Sequence, residues 1–146
     1  MYENKQITEP KWKSWIIQTT TPVFTPDQCR QIIASGRAQK PQEAQVGTNK
    51  PGGGTNTKKR VTTISWIPFQ EMGHMYQDLN KFIQQANQNH FGFGDIRVTE
   101  NAQFTEYPEG GFYDWHMDCD VNMEHQPPVR KISMTLLLND PSEFEG

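Results

Sequence analysis

A chain of 146 residues has the length of one domain, and with 34% hydrophobic residues and a mean hydropathy of -0.82 it is a polar one. The N-terminus has no apolar leader core and no stretch approaches the length of a membrane span. A net charge of -3, a pI near 5.8 and no basic run longer than Lys58-Lys59-Arg60 give no electrostatic footprint for nucleic acid or an anionic membrane.

In chain order, Trp12 to Gln18 is rich in aromatic and β-branched residues and predicts a first strand. Thr25 follows as a candidate N-cap, with Pro26 at the first helical position and Gln28 where a capping-box partner belongs. With Ile32, Ile33 and Gly36 behind them, a helix is expected from about Pro26 to Arg37. Lys40 to Lys59 reads as loop, apart from a possible short strand at Ala44 to Val46. Its Gly52-Gly53-Gly54 lacks the Gly-Lys-Ser/Thr ending and following helix of a phosphate cradle. The run reads as a flexible loop, one that could close over a substrate.

Arg60 to Ile67 has strand propensity. Phe69, Met72, Tyr76, Leu79, Phe82, Ile83 and Ala86 recur at steps of three and four, which predicts an amphipathic helix from about Phe69 to Asn89. His74 and His90 lie on or near it without a partner at ligand spacing and are set aside as metal ligands. After the turn-like Phe91 to Asp95, alternation from Ile96 to Tyr107 predicts a long strand. The turn signal Pro108-Glu109-Gly110-Gly111 then predicts a second strand, ending in His116-Met117-Asp118. Met117 to Pro128 reads as a polar loop containing His125, and Arg130 to Leu138 as a strand closed by the turn at Asn139 to Ser142. Cys29 and Cys119, far apart and without secretory context, read as reduced thiols of a cytoplasmic protein.

Residues two apart on an extended strand share a face, so His116 and Asp118 can converge on one object. An imidazole nitrogen and a carboxylate offered together suit a divalent metal, and two histidines with one carboxylate make the non-haem iron oxygenase site. Tyr107, Phe112, Tyr113 and Trp115 crowd the approach and could wall a small-molecule pocket. On these residues alone, a metal site and a solvated, mutually paired His and Asp both remain open.

The string Tyr-Pro-x-Gly-Gly-x-Tyr-x-x-His-x-Asp from Tyr107 to Asp118 is followed by Arg130-Lys131-Ile132-Ser133, Leu138-Asn139-Asp140-Pro141 and Phe144-Glu145-Gly146. Together these resemble the prolyl 4-hydroxylase-type branch of the Fe(II)/2-oxoglutarate dioxygenases, above all its small bacterial and phage hydroxylases. The resemblance covers roughly the last third of the chain. It implies an α+β fold with a double-stranded β-helix (jelly roll) core, whose first half is residues 96–146 and whose support region is residues 1–95, in one domain. It implies Fe(II), with 2-oxoglutarate and O2 as cosubstrates and ascorbate as an accessory reductant, and hydroxylation of a peptide, prolyl or small-molecule substrate.

Carried over residue by residue, His116 and Asp118 match the first two iron ligands and Tyr107 matches a tyrosine of the 2-oxoglutarate pocket. Tyr113 and Trp115 fall on the substrate side, where packing on the strand is the plainer role for Tyr113. Leu137 stands where some animal prolyl hydroxylases place a cosubstrate-contacting tyrosine, so that contact is lost here. Arg130 and Ser133 match the pattern without a chemical role, and charge pairing is the default for Arg130. The resemblance also requires a second His and an Arg or Lys tens of residues after Asp118. Neither occurs before Gly146, so the sequence is expected to be the N-terminal part of a longer enzyme. Two other readings stay open: a non-catalytic jelly-roll binding protein, and a zinc hydrolase site built from His116, Asp118 and His125.

Overall fold

The structure is a computed structural model that describes residues 14–43, 60–116, 118 and 130–144. Helix α1, Pro26–Ala38, starts where the sequence places it. Thr25 Oγ1 accepts from the Gln28 N–H at 3.3 Å and Gln28 Oε1 accepts from the Thr25 N–H at 2.9 Å, so two otherwise unpartnered donors are satisfied reciprocally. Pro26 costs nothing at this position because its missing N–H would have had no helical acceptor.

Strands β1 (Gln42–Glu43), β3 (Thr63–Ile67) and β4 (Ala102–Glu106) form one antiparallel sheet in the order β1-β3-β4, with Ile64 opposite Thr105 and Ile67 opposite Ala102. Strands β2 (Arg60–Val61) and β5 (Phe112–Tyr113) form a second antiparallel pair, with Arg60 opposite Tyr113. The strands expected on either side of the Pro108–Gly111 turn therefore do not pair with each other. Both run antiparallel to residues 60–67, and residues 107–111 loop out opposite Thr62. The Thr62 hydroxyl donates to the Glu106 carbonyl at 2.6 Å and holds this interruption closed.

Helix α2, Gly73–Ala86, is shorter than expected at its start. Pro68 to Glu71 is spent on a turn closed by the Glu71 N–H on the Pro68 carbonyl, and Met72 offers no side-chain cap. At its far end the helix widens into a π-helical turn, Asn87–Phe91, which stops at Gly92 in the left-handed conformation. The Asn87 side chain fixes this stop by exchanging two hydrogen bonds of 2.9 Å with the Phe93 backbone.

The core sits between the helices and the larger sheet and consists of Phe24, Ile32, Ile67, Met75, Tyr76, Leu79 and Phe104. Tyr76 joins α2 to the sheet end. Its hydroxyl donates to the Ile67 carbonyl at 2.5 Å and accepts from the Ala102 N–H at 2.6 Å. Burial pushes its pKa up, against a smaller opposing effect of the Ala102 N–H. Because the folded state holds this proton more tightly than the unfolded chain, stability is intact below the ordinary tyrosine pKa and falls as pH rises above it. Tyr76→Phe is expected to cost about 1–3 kcal/mol in urea unfolding near neutral pH, since two backbone groups lose their partner. It should also flatten the alkaline loss of stability.

Further expected elements differ. The second strand, expected to end in His116-Met117-Asp118, covers only Phe112–Tyr113, so His116 and Asp118 lie beyond it, and β1 at Gln42–Glu43 falls where a loop was expected. Residues 14–18 form no strand, and the long strand expected from Ile96 begins only at Ala102. Residues 130–138 run without a strand partner among the described residues, although Leu136 and Leu138 pack against the core. The apolar alternation of that segment is satisfied by the core rather than by a sheet. No jelly roll is formed among the described residues; their architecture is α+β. No described helix is long and apolar enough to cross a membrane. Ala44 to Val46, the Gly52–Gly54 run, Cys119, His125, Glu145 and Gly146 lie outside the described residues.

Candidate metal centre

The site is placed by two neighbouring glycines. Gly110 has φ 71°, a left-handed conformation that side chains disfavour. At Gly111, a Cβ would lie 2.7 Å from Pro108 Cδ and 2.9 Å from the Val61 carbonyl oxygen, so only glycine lets the chain return this close to β2. The return sets β5 beside Arg60 and brings Tyr113, His116 and Asp118 to that end of the fold.

Arg60 is only 9% exposed, and its Nε has no hydrogen-bond partner among the described residues. Its guanidinium carbon lies 4.3 Å from the Tyr113 ring centroid, a cation–π distance. The His116 imidazole stacks on the same tyrosine, with centroids 3.5 Å apart and planes 14° from parallel. A ring that close fills the face it covers, so arginine and imidazole take opposite faces of Tyr113.

His116 Nδ1 lies 2.8 Å from the Asp114 carbonyl oxygen. A carbonyl can only accept, so Nδ1 carries a proton and Nε2 is the nitrogen turned toward Asp118. Nε2 lies 3.0 Å from Asp118 Oδ1. Two acceptors this close repel unless a cation lies with them, either a second ring proton or a metal ion. Two donors each ~2.1 Å from one metal, at right angles to each other, would be separated by about 3.0 Å. The pair therefore fits a divalent metal as well as it fits an imidazolium–carboxylate contact.

Asp118 is supported from the other side. Ser133 Oγ donates to its Oδ2 at 2.5 Å, and Arg130 Nη1 donates to its backbone carbonyl at 3.2 Å. Arg130 is in turn held by Glu100 through Nε at 3.0 Å and Nη2 at 2.7 Å, both to Oε2. The Glu100 carboxylate raises the Arg130 pKa above its ordinary value, against a smaller effect of burial, so the guanidinium stays charged.

His116, Asp118, Tyr113 and Trp115, with Phe112 and Asp114, line one open depression of about 580 Å³. Trp115 is fully exposed at its rim. Tyr107 is about half exposed and is not among the lining residues. Among the described residues no third His, Cys, Asp or Glu joins the pair.

Sequence reading singles out His116 and Asp118 but misses Arg60, Glu100 and the Asp114 carbonyl. A cation at the opening of a strand was the available signal for Arg60. Glu100 lies in an irregular segment thirty residues from Arg130, with no spacing to betray it. The chain matches no protein-family model, no curated protein and no solved structure.

Proposed function

We propose that the chain belongs to an Fe(II)- and 2-oxoglutarate-dependent hydroxylase of the prolyl 4-hydroxylase type, acting on a peptide or small molecule. The observation that carries this reading is the fixed imidazole. The Asp114 carbonyl, 2.8 Å from Nδ1, turns the ring so that Nε2 faces a carboxylate oxygen 3.0 Å away, a spacing that one divalent metal can bridge. The motif from Tyr107 to Asp118 supports the same reading by resemblance. So does the family's jelly-roll core, proposed here for the whole protein with residues 1–95 as its support, together with a cytoplasmic setting.

His116 Nε2 and Asp118 Oδ1 would hold the metal, with a third donor from outside the described residues. Iron(II) with 2-oxoglutarate and O2 would supply oxidative decarboxylation to succinate and carbon dioxide, coupled to hydroxylation of a C–H bond; ascorbate would keep the iron reduced. The chain's own residues orient and shield. Tyr113 covers one face of the His116 ring and fixes its plane, while Asp114 fixes its proton. Ser133 occupies Oδ2, so that Asp118 presents a single oxygen. Phe112 and Trp115 give the depression an apolar wall against which a substrate can lie. Tyr107, by resemblance, serves 2-oxoglutarate.

The test is succinate release by the native gene product with Fe(II), 2-oxoglutarate and a panel of prolyl peptides and amino acids. Release that needs both iron and 2-oxoglutarate is expected; release indifferent to iron would contradict the reading. A second reading, a non-catalytic binding protein, draws on the same 3.0 Å contact taken as an imidazolium–carboxylate pair. It expects ligand binding unaffected by a chelator.

A further inference from the structure

We propose that Glu100, Arg130 and Ser133 are positioning residues that hold Asp118 as a single-oxygen ligand. This rests on the reading of His116 and Asp118 as metal donors, and it gives a role to Arg130 and Ser133, which match the resembled pattern without one, and to Glu100.

The argument starts from where each support is anchored. Glu100 lies between Val98, which packs against the core, and Ala102, where β4 begins. Ser133 and Arg130 lie on the segment whose Leu136 and Leu138 pack against the same core. Asp118 is thus tied at two points to the segment of residues 130–138, its carbonyl through Arg130 and its carboxylate through Ser133, and through Arg130 to the segment that carries Glu100. Ser133 takes Oδ2 at 2.5 Å, which leaves Oδ1 for the His116 side.

Arginine suits the middle position because its fork can divide its donors. Nε and Nη2 bind the Glu100 carboxylate while Nη1 reaches the Asp118 carbonyl. A lysine offers a single point charge and cannot hold both in fixed directions. Arg130 and Glu100 are each more than half exposed, so their pairing contributes little to global stability. Its consequence is local: it fixes where one ligand stands. Supports of this kind typically cost 10–100-fold in metal affinity when removed.

The experiment uses the full chain and the variants Glu100→Gln, Arg130→Lys, Ser133→Ala and Ser133→Thr. Asp118 is read in the metal-free protein by 15N relaxation of its N–H and by its carboxyl 13C shift. Mn(II) affinity is then measured by titration, and Tm by melting. Glu100→Gln, Arg130→Lys and Ser133→Ala are expected to make Asp118 more mobile. They should also weaken Mn(II) binding by about 10–100-fold, with Tm unchanged. Ser133→Thr keeps the hydroxyl and is expected to restore both readouts. An Asp118 as ordered in Glu100→Gln and Ser133→Ala as in wild type would overturn the proposal, as would a Tm loss in these variants that accounts for the whole change. Should wild type bind no Mn(II), the metal reading falls by itself and the relaxation data alone decide the positioning role.

Discussion

Asp118→Ala and His116→Ala are each expected to weaken divalent-metal binding by more than ~100-fold, beyond what removing a group that only supports a ligand costs. Succinate release by the native gene product should fall to background with it. Each substitution removes one of the two donors that converge among the described residues, and neither neighbour can replace it. The Ser133 hydroxyl is engaged with the carboxylate itself, and the Asp114 carbonyl with the far side of the imidazole. Asp118→Asn is the informative control. It keeps the shape and an oxygen for Ser133 but loses the negative charge, so its metal affinity should stay close to that of Asp118→Ala. The fold should survive all three, because exposed ion pairs such as His116–Asp118 contribute about 0–1 kcal/mol. Retained succinate production in His116→Ala or Asp118→Ala would remove the metal assignment. His125→Ala should leave activity nearly unchanged, whereas total loss would favour the hydrolase site built from His116, Asp118 and His125.

The second large effect lies in the packing of α1 on the larger sheet. Phe104 is a buried core ring on β4, and the backbone of α1 at Gly36 presses directly on it; a Cβ on Gly36 would overlap ring atoms. Ser65 fixes the approach by donating to the Gly36 carbonyl at 2.7 Å. Phe104→Ala is expected to cost about 3–5 kcal/mol in urea unfolding, as a large buried side chain is lost from a packed core. Gly36→Ala alone should cost about 1–3 kcal/mol through overpacking. In the Phe104→Ala background the sign should reverse. There is then room for the methyl, and alanine is the better helix former by about 1 kcal/mol. A double-mutant cycle reads this coupling directly. Equal costs of Gly36→Ala in both backgrounds would show that the helix–ring contact is not what constrains Gly36.

Local signals made much of this fold legible. Thr25, Pro26 and Gln28 announced α1 because a capping box is encoded within four residues. The apolar steps from Phe69 to Ala86 announced α2, although Pro68 and Gly73 moved its start. The His-x-Asp pair was legible for the same reason, since the two residues sit two apart. What periodicity could not give was pairing. Pro108 to Gly111 read as a hairpin turn, yet β4 and β5 follow one another along residues 60–67, because Gly111 lets the chain close on Val61. The alternation of residues 130–138 spoke for a strand, but alternation reports only that one face is covered, and here the core covers it. Glu100 and Arg60 were silent because their partners lie tens of residues away.

The most direct measurement is an anaerobic titration of the native gene product with Fe(II) and 2-oxoglutarate, following the binding of each in the presence and absence of the other. The expected result is one iron per chain, with 2-oxoglutarate binding tightly only once iron is present and not at all to Asp118→Ala. Binding of 2-oxoglutarate that ignores iron, or a wild-type chain that takes up no iron, would contradict a metal centre at His116 and Asp118.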